Sequence, residues 1–413
     1  MVAEGALTAV LRQNNMSFKT RLSVLLLSTP VLAFVLVGGL LGNNAAARTA
    51  GDDKFQHLRV FEDVVSLVMS TYVEDVKVGA VMEGAMRGLA DGLDPDSAYL
   101  TPEQVRQAQA PLPAGELGIE LTRQFYLRVI AVRDDSPAAR AGLQTGDYVR
   151  AIDGKATRDL TVFEGTRLLR GAPGSKVVLT VIRGNAAEPH EVPLVREKSS
   201  APGVSTKMLD GGVGYLRIPA FSSATAADVK RLTGELEKSG AKALIIDIRR
   251  TAEGSIDHGI ATARLFVKSG TLTSKAGRAK DPKADAPKES IVAAAGDGSI
   301  AVPVQLLLTA GTSGAAEVFA AALSGNKRAD LVGEHTIGRA ASQKLVPLAE
   351  GRAMWLTYAR YLTPAGEPIH GKGLKPDVLI DEPDVDFGAT LPKSDPVLDA
   401  ALERIKKSSL MTP

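Results

Sequence analysis

The sequence LLLTAGTSGAAEVFAAALSGNKRADLVGEHTIGR, which spans Leu306 to Arg339, decides how the rest of the chain is interpreted. The largely apolar run from Val304 to Leu308 is short and followed by turn residues, which is typical of a buried strand. Small residues follow from Thr309 to Gly314. The segment from Ala315 to Leu323 is rich in helix-forming residues, and Gly325 is placed to end the helix. A strand, a tight turn and a helix in this order present one residue at a helix N-terminus, where backbone N–H groups stabilise a developing oxyanion.

This stretch resembles the catalytic core of the C-terminal processing peptidases, also called tail-specific proteases, which are serine–lysine enzymes. In that family the turn reads like S-A-S-A-S-E, with the middle Ser as nucleophile. The helix then leads to R-A-x-x-x-G-E-x-T-x-G-K-G, in which the Lys is the general base. The chain reads T-S-G-A-A-E at residues 312–317 and R-A-D-L-V-G-E-H-T-I-G-R-A at residues 328–340. The register has no gaps and is fixed by the shared residues Glu317, Arg328, Gly333, Glu334, Thr336 and Gly338.

In this register the residues that carry the family's chemistry are replaced. The nucleophile position holds Gly314, the base position holds Arg339, and an acidic position found in some members holds Gly325. Glycine has no side chain with which to attack, and arginine, whose pKa lies above about 12, cannot accept a proton at neutral pH. A Ser–Lys mechanism needs both groups. The resemblance therefore implies a peptidase scaffold without its catalytic dyad.

A relocated nucleophile is the alternative reading. Ser313 lies one residue before the nucleophile position, with Lys327 and Lys344 as substitute bases. One step at a helix start turns a side chain by about 100°, and catalysis tolerates little misplacement. We therefore expect Ser313 to be a turn or helix-cap residue. No spacing suggests a metal site or a Ser–His pair among the five histidines, which are His57, His190, His258, His335 and His370.

A second departure concerns the oxyanion hole. After the buried strand that the pattern predicts from Ala243 to Arg249, the family reads R-N-N-P-G-G, and its glycines form part of that hole. The chain reads R-R-T-A-E-G at residues 249–254, so that Glu253 replaces one glycine with a charged residue. A negative side chain opposes the charge that the hole should stabilise.

The segment from Leu112 to Val195 resembles a PDZ domain. Ser136 and Pro137 are typical of a helix start, and the sequence GLQTGDYV at residues 142–149 followed by IDG at residues 152–154 is its most specific motif. Such domains add a peptide C-terminus as a strand and hold its carboxylate with loop N–H groups. The resemblance places peptide binding at Leu117, Gly118, Ile119, Glu120 and Leu121, where Gly118 permits close backbone approach. The alternative is a PDZ fold that packs on its neighbour and binds nothing.

The N-terminus has the pattern of an export signal. Met16 is a second candidate start, Lys19 and Arg21 form a positive region, and the segment from Leu22 to Leu41 is almost wholly apolar. Alanines at 45–47 satisfy a small-x-small cleavage rule. The apolar segment is long for a signal peptide and just long enough to span a bilayer. We expect export, with the rest of the chain on the periplasmic side of the cell envelope, either anchored in the inner membrane or secreted after cleavage.

Five segments are predicted: an extension with signal peptide or anchor (1–50), a helical segment (51–110), a PDZ domain (111–198), a tail-specific protease-like core (199–383) and a C-terminal helix and tail (384–413). The helical prediction covers Asp52 to Gln109, where apolar residues recur at threes and fours. Its turn LDPDSAYL at residues 93–100 resembles the family signature S-L-D-P-H-S-x-Y-L. The stretch from Gly270 to Ser299, rich in Lys, Ala, Asp and Pro, is predicted to be a long mobile loop.

Composition limits the classes of function. Lys and Arg number 49 against 47 Asp and Glu, so the net charge of +2 predicts no nucleic-acid partner, and the absence of cysteine excludes disulfides. We expect an α/β peptidase core (ClpP/crotonase-like) with an inserted PDZ β-barrel-like domain and an N-terminal helical segment, and no cofactor or metal. The expected partners are polypeptide C-termini or unfolded protein substrates, an active homologous protease, and the membrane through the N-terminal segment. A purely structural subunit is a further alternative.

Overall fold

The computed structural model describes residues 56–184, 188–198, 203–279, 286–383, 385–389, 392 and 394–410. The chain divides into two units, Met1–Gly84 and Ala85–Pro413. The segment predicted to direct export, from Leu22 to Leu41, lies outside the described residues. Within the described ranges, no helix has both the length and the apolar character that a membrane crossing requires.

The first unit contains helix α1 (residues 56–71) and the beginning of helix α2 (Val78–Asp91). Helix α1 follows the predicted helical period. Several of its large apolar side chains are exposed, namely Leu58, Val60, Val64, Leu67 and Met69.

In the second unit, α2 is followed by a strand that the helical prediction for this region missed. Strand β1 (Ala98–Leu100) is buried and precedes helix α3 (Pro102–Gln109). Asp94 causes the change of direction, because its carboxylate accepts hydrogen bonds from the backbone N–H groups of Asp96 (2.9 Å) and Ser97 (2.8 Å). The chain therefore leaves the helix in a tight turn.

The segment predicted to be a PDZ domain forms a separate β-sheet with its own core. Its main sheet has the order β3-β4-β5-β7-β8, with β6 on β5, while β2 pairs with β9. The helix α5 packs against β3 over a core that includes Leu121, Leu127 and Leu179. The elements are β2 (Gly115–Glu116), β3 (Ile119–Gln124), β4 (Tyr126–Val132), α4 (Pro137–Arg140), β5 (Tyr148–Ile152), β6 (Lys155–Ala156), α5 (Val162–Leu169), β7 (Lys176–Ile182), β8 (His190–Val195) and β9 (Glu197–Lys198).

The remaining elements form an α/β core. They are β10 (Ser205–Leu209), β11 (Val213–Arg217), β12 (Ala220–Phe221), α6 (Thr225–Lys238), β13 (Ala243–Asp247), β14 (Glu253–Gly254), α7 (Ile256–Ala263), β15 (Thr271–Gly277), β16 (Lys288–Val292), β17 (Val304–Leu308), α8 (Ala315–Gly325), β18 (Ala329–Gly333), β19 (Ala341–Pro347), a 3-10 turn (Ala349–Gly351), β20 (Ala353–Leu362), β21 (Val378–Leu379) and α9 (Pro396–Leu410).

The central sheet has the order β10-β11-β13-β17-β18-β21 and is parallel from β11 to β21. Successive side chains of a strand point to opposite faces. Leu244 and Ile246 of β13 accordingly pack with α6, α7 and α8, whereas Ile245 packs with α9. Helix α8 is buried from Ala315 to Leu323. This two-sided burial explains why β13 and β17 are largely apolar, with Asp247 and Gln305 as their polar residues.

A second, antiparallel sheet has the order β1-β20-β15-β16, with β19 also on β20. Its strands β15 and β16 lie within the stretch from Gly270 to Ser299, so the prediction of a long loop there was wrong. The tertiary environment outweighs the polar composition, because Thr273 on β15 is fully buried and its hydroxyl donates to the carbonyl of Leu362 (2.7 Å).

Candidate functional site

The turn between β17 and α8 is fixed against the end of β13. The hydroxyl of Thr312 donates to the carbonyl of Ile248 (2.8 Å) and accepts from the backbone N–H of Thr309 (3.1 Å). The backbone N–H of Ser313 donates to the carbonyl of Thr251 (3.0 Å). Thr312 is fully buried, so the turn has room only for small side chains. These hydrogen bonds therefore fix one backbone conformation between β17 and the N-terminus of α8.

Gly314 is the N-cap residue of α8 and has φ 61° and ψ −113°. This backbone conformation is unfavourable for residues with a side chain and readily adopted by glycine. A Cβ atom added at Gly314 would meet no heavy atom within 4 Å. The site therefore has space for a side chain at the family's nucleophile position, although the backbone conformation there favours glycine.

Glu317 connects the nucleophile position with the base position. Its side chain is fully buried, and its Oε2 accepts from the backbone N–H groups of Gly314 (3.0 Å) and Arg339 (2.7 Å). Its Oε1 accepts from the hydroxyl of Thr336 (2.5 Å) and the N–H of Gly338 (2.7 Å). Burial raises the pKa of Glu317 above its ordinary value, against the opposing effect of these four hydrogen bonds. One carboxylate thus sets the distance between the two family positions.

The side chain of Arg339 is engaged by groups outside the family's dyad. Its guanidinium forms an ion pair with Asp96 through Nη2, and its Nη1 donates to the carbonyl of Leu121 on β3 (3.2 Å). Burial alone would lower the pKa of Arg339, but the charge of Asp96 and its hydrogen bond raise the pKa above the ordinary arginine value. Arg339 therefore stays protonated and cannot take a proton from a nucleophile.

Asp96 is a site residue that sequence reasoning missed. It stands where the family signature quoted above has His, and it lies 243 positions from Arg339 along the chain. Its side chain is 9% exposed. The signal that could have found it is the coincidence of two departures, a carboxylate at the His position and a guanidinium at the Lys position. The two replacements compensate each other as an ion pair.

The segment at residues 249–254 retains its glycine end. Gly254 has φ 123°, and a Cβ there would lie 2.3 Å from the carbonyl oxygen of Phe221, so only glycine fits beside β12. The preceding Glu253 has a side chain that is 37% exposed and lies 3.4 Å from Nη1 of Arg133. Glu253 therefore forms an ion pair with a residue of the PDZ domain, at a position where the family has glycine.

The residues proposed as substitutes do not form a second dyad. Ser313 is 2% exposed and lies in the turn, but it is not the helix cap, because the N-cap is Gly314. Lys327 follows the C-terminal end of α8, which lies roughly 16 Å from the helix N-terminus at 1.5 Å per residue. Lys344 lies over the ring of Tyr358, with 5.1 Å from its Nζ to the ring centroid.

Gly325 is occluded by packing. It is the last residue of α8, and a Cβ there would approach Cγ of Pro364 to 2.5 Å. The side chains of His190, His258 and His335 make local contacts, respectively with the ring of Phe387, the carbonyl of Phe221 and the carbonyl of Thr336. In the part of the chain that the structure describes, no group of three His, Cys, Asp or Glu residues is arranged to hold a metal ion.

The predicted peptide-binding loop lies next to the segment at residues 249–254. Gly118 has φ 75°, and a Cβ there would lie 2.3 Å from Cβ of Ser136. A small pocket brings the loop residues from Leu117 to Glu120 together with Arg170 and Glu253. Burial raises the pKa of Glu120 to about 7, against the opposing charge of Arg339. The side chain of Leu121 is buried in the PDZ core.

A charged network that the sequence did not suggest surrounds this loop. The carboxylate of Glu116 forms ion pairs with Arg133 and with Arg170 (2.7 Å), and the side chain of Glu116 is 7% exposed. Arg133 also contacts Glu253. This network could not be predicted, because its four residues come from four separate segments of the sequence.

A larger cavity of about 550 Å³ lies beside the replaced dyad. It is lined by the turn at Asp94 and Asp96, by Thr122 of β3, and by Arg339 and His370. Nδ1 of His370 is buried and has no hydrogen-bond partner in the described part of the chain. The arrangement provides a chamber of the size that ligand sites have, with apolar walls and a few polar groups, and without a nucleophile at the position where the family places one.

Comparison with known proteins agrees with this architecture. Residues 212–380 match the model of peptidase family S41, and residues 128–183 match that of the PDZ domain. The carboxy-terminal-processing protease of Bartonella bacilliformis is 30% identical over 336 residues, which cover 80% of this chain and 76% of that protein. The carboxyl-terminal-processing protease of Synechocystis is 33% identical over 319 residues, covering 75% and 73% respectively.

A solved structure extends this likeness to the fold. The photosystem II D1 C-terminal processing protease is 28% identical and superposes with a TM-score of 0.64, covering 76% of this chain and 85% of that one. The predicted fold class, an α/β peptidase fold with a PDZ domain, is therefore confirmed. By its central sheet, its PDZ sheet and these matches, the chain belongs to peptidase family S41, among the PDZ-bearing carboxy-terminal processing proteases.

Proposed function

We propose that the chain is an exported, non-catalytic member of this family that binds polypeptide C-termini through its PDZ domain and acts as an adaptor or regulator in the cell envelope. The observation that carries the proposal is the pair of residues at the dyad positions. Gly314 offers no attacking atom, and Arg339 is a cation already paired with Asp96. Acyl transfer of the family's kind needs an activated nucleophile and a base that accepts its proton.

The environment of the site supports the same proposal. The carboxylate of Glu317 holds both dyad positions by their backbone N–H groups, so the scaffold is intact while the reacting side chains are missing. Glu253 adds negative charge to the segment whose glycines serve the oxyanion hole in the family. Stabilisation of a developing oxyanion needs donors or positive charge at that point. Three independent replacements therefore act against hydrolysis.

Binding of a C-terminus is supported by the loop before β3. Gly118 keeps the backbone close to Ser136 in a conformation that other residues disfavour, and β3 is an edge strand of the PDZ sheet. A peptide added along such an edge forms main-chain hydrogen bonds, and loop N–H groups donate hydrogen bonds to its carboxylate. The guanidinium groups of Arg133 and Arg170 lie at this end of the groove, where both are paired with Glu116.

The proposed location of the protein in the cell envelope rests on the sequence alone. The basic residues Lys19 and Arg21 before the apolar segment from Leu22 to Leu41 are typical of an export signal or an anchor. An adaptor in the envelope would meet there the polypeptides that an active homologous protease processes. Such a protease is the partner we propose beside the polypeptide C-termini themselves.

The absence of hydrolysis is tested with the full chain purified in detergent. We expect an unstructured polypeptide with an apolar C-terminus to remain intact after prolonged incubation, as followed by mass spectrometry. Cleavage that disappears in the Ser313→Ala variant would replace this proposal with a peptidase that uses a relocated nucleophile. Cleavage that persists in that variant would contradict both.

Binding is tested with a short fluorescent peptide that ends in Val-Val-Val with a free carboxylate. We expect saturable, weak binding by fluorescence anisotropy, and at least about tenfold weaker binding of the same peptide as a C-terminal amide, because a charged hydrogen-bonding group is lost. Equal affinity for both peptides would contradict recognition of C-termini and favour a structural role for the PDZ domain.

A further inference from the structure

The backbone groups of Leu121 face the free edge of the PDZ sheet. Among the described strands, β3 pairs only with β4, and Leu121 lies opposite Val129. The N–H of Val129 donates to the carbonyl of Asp147, and its carbonyl accepts from the N–H of Gly146, both at 2.8 Å. Val129 therefore directs its backbone groups away from β3. In an antiparallel pair of this kind, the opposite residue also points its backbone groups outward.

The carbonyl of Leu121 is consequently an acceptor that an added peptide strand needs. In this structure it is taken by Nη1 of Arg339, at 3.2 Å, across 218 positions of sequence. The rest of the guanidinium pairs with Asp96, and only 22% of the Arg339 side chain is exposed. A charged group of the peptidase core thus occupies the position where a peptide N–H would bind.

Arginine suits this double contact better than the lysine of the family motif. Its planar guanidinium directs Nε and Nη2 towards Asp96 while Nη1 reaches Leu121. A lysine has a single nitrogen on a flexible stem and lacks this fork. The backbone N–H of Arg339 is held separately by Glu317, so its side chain can leave the strand edge while its main chain stays in place.

We propose that Arg339 is a latch on the peptide-binding edge: its guanidinium, backed by Asp96, competes with an incoming C-terminus for the carbonyl of Leu121. The inference rests on the proposed function, because it assigns a regulatory contact to the same peptide site. Coupling between two such contacts is reciprocal. The contact between Arg339 and Leu121 lowers the affinity for the peptide. By the same coupling free energy, a bound peptide weakens this contact, moves the Arg339 side chain away from β3 and opens the 550 Å³ cavity that Arg339 lines.

The test compares peptide binding in the full chain and in the double variant Arg339→Gln/Asp96→Asn, which removes both charges together. The probe is the fluorescent Val-Val-Val peptide with a free carboxylate, with its amide as reference. We expect the double variant to bind the free carboxylate about 5- to 10-fold more tightly, since one charge-assisted hydrogen bond no longer has to be displaced. The matched control Arg140→Gln/Glu197→Gln removes an exposed ion pair of the PDZ domain away from β3, and its affinity should stay within about twofold of the original.

A single variant guards against loss of folding in the double variant. Arg339→Lys keeps a cation for Asp96 but lacks the fork, and we expect it to bind the peptide more tightly than the original chain, by a smaller factor. Unchanged or weaker binding in both latch variants, with the thermal midpoint retained, would overturn the latch while leaving the proposed function standing. If no variant distinguishes the free carboxylate from the amide, the proposed function and the latch both fall.

Discussion

The backbone N–H groups of Gly314 and Arg339 donate to the same oxygen atom, Oε2 of Glu317. With hydrogen bonds of 3.0 and 2.7 Å, the two nitrogen atoms lie less than about 6 Å apart. The positions that carry nucleophile and base in the family are thus fixed relative to each other by a buried carboxylate. The backbone is thus held at both positions, which Gly314 and Arg339 occupy in this chain.

The first prediction concerns this carboxylate. Glu317→Gln replaces one acceptor oxygen with an amide N–H₂ group, which would face backbone N–H donors in a fully buried site. A buried donor without an acceptor costs on the order of 1–3 kcal/mol, and two are created here, so we expect a loss of about 2–4 kcal/mol in the free energy of unfolding. Urea denaturation at an unchanged m-value measures it. The exposed Glu237→Gln on α6 is the control, with an expected change below about 0.5 kcal/mol. A neutral Glu317→Gln would show that this carboxylate does not hold the site.

The second prediction concerns recovery of chemistry. A Cβ at Gly314 meets no atom within 4 Å, but φ is 61°, so we expect Gly314→Ser and Gly314→Ala each to lose about 1–3 kcal/mol of stability. Gly314→Ser with Arg339→Lys supplies a hydroxyl and a titratable amine. We expect this variant to react slowly with a fluorophosphonate, and about tenfold or more faster once Glu253→Gly removes the opposing charge.

The labelling control is Gly314→Ala in place of Gly314→Ser in the same background, which has no hydroxyl and should stay unlabelled. Mass spectrometry locates the adduct on the peptide that contains residue 314. An adduct on Ser313 instead would revive the relocated nucleophile. No adduct in the triple variant would mean that more of the site has been lost than three side chains.

The elements of this molecule that depend on a local sequence pattern could be predicted from the sequence. The strand, turn and helix around Gly314 follow from an apolar run, small residues and helix formers, and all three lie where they were predicted. Strand β15 was missed because its burial comes from β20, which lies far along the chain, and the mostly exposed β16 was missed because it pairs with β15. The ion pair of Asp96 with Arg339 was missed for the same reason, since neither residue signals the other locally.

The third prediction concerns the pH dependence of stability. Burial raises the pKa of Glu120 from 4.5 to about 7, with Arg339 acting in the opposite direction and Glu253 adding to the rise. The folded chain therefore keeps a proton that the unfolded chain releases. The resulting stability is fully present below pH 4.5 and is lost as pH rises through about 7. The neutral variant Glu120→Gln should avoid this loss, so that its advantage over the original chain grows between these values to on the order of 3 kcal/mol.

Urea denaturation at a series of pH values from 4.5 to 8 measures this difference. The original chain and the variant should agree at the acidic end and diverge towards neutrality. Because the charge of Arg339 opposes the rise in the pKa of Glu120, the divergence should grow in Arg339→Gln. Parallel stability curves for the original chain and Glu120→Gln would show that the carboxyl group titrates normally.

The fourth prediction concerns Arg249, which joins the end of β13 to the start of α9. Its guanidinium binds the buried carboxylate of Asp247 (2.7 Å from Nη2) and makes two bonds of 2.9 Å to Asp395. Burial alone would raise the pKa of Asp247, but the charge and hydrogen bonds of Arg249 hold it below the ordinary value of 3.8. Arg249→Met leaves that carboxylate with the hydroxyl of Tyr215 as its remaining side-chain donor in the described structure, at 2.6 Å.

Removing one partner of a buried ion pair costs about 3–5 kcal/mol, because the other charge stays buried without compensation. We therefore expect Arg249→Met to lower the free energy of unfolding by this amount in urea denaturation at pH 7. In the variant, protonation would neutralise the unpaired Asp247, so the variant's loss of unfolding free energy should shrink as pH falls. In the original chain, the contribution of the ion pair is present above pH 3.8 and is lost below it. The exposed Arg231→Met on α6, which breaks surface pairs with Asp228 and Glu235, should cost less than about 1 kcal/mol. Equal costs for the two variants would mean that the network around Arg249 is no stronger than a surface ion pair, and that the junction between β13 and α9 is held by apolar packing alone.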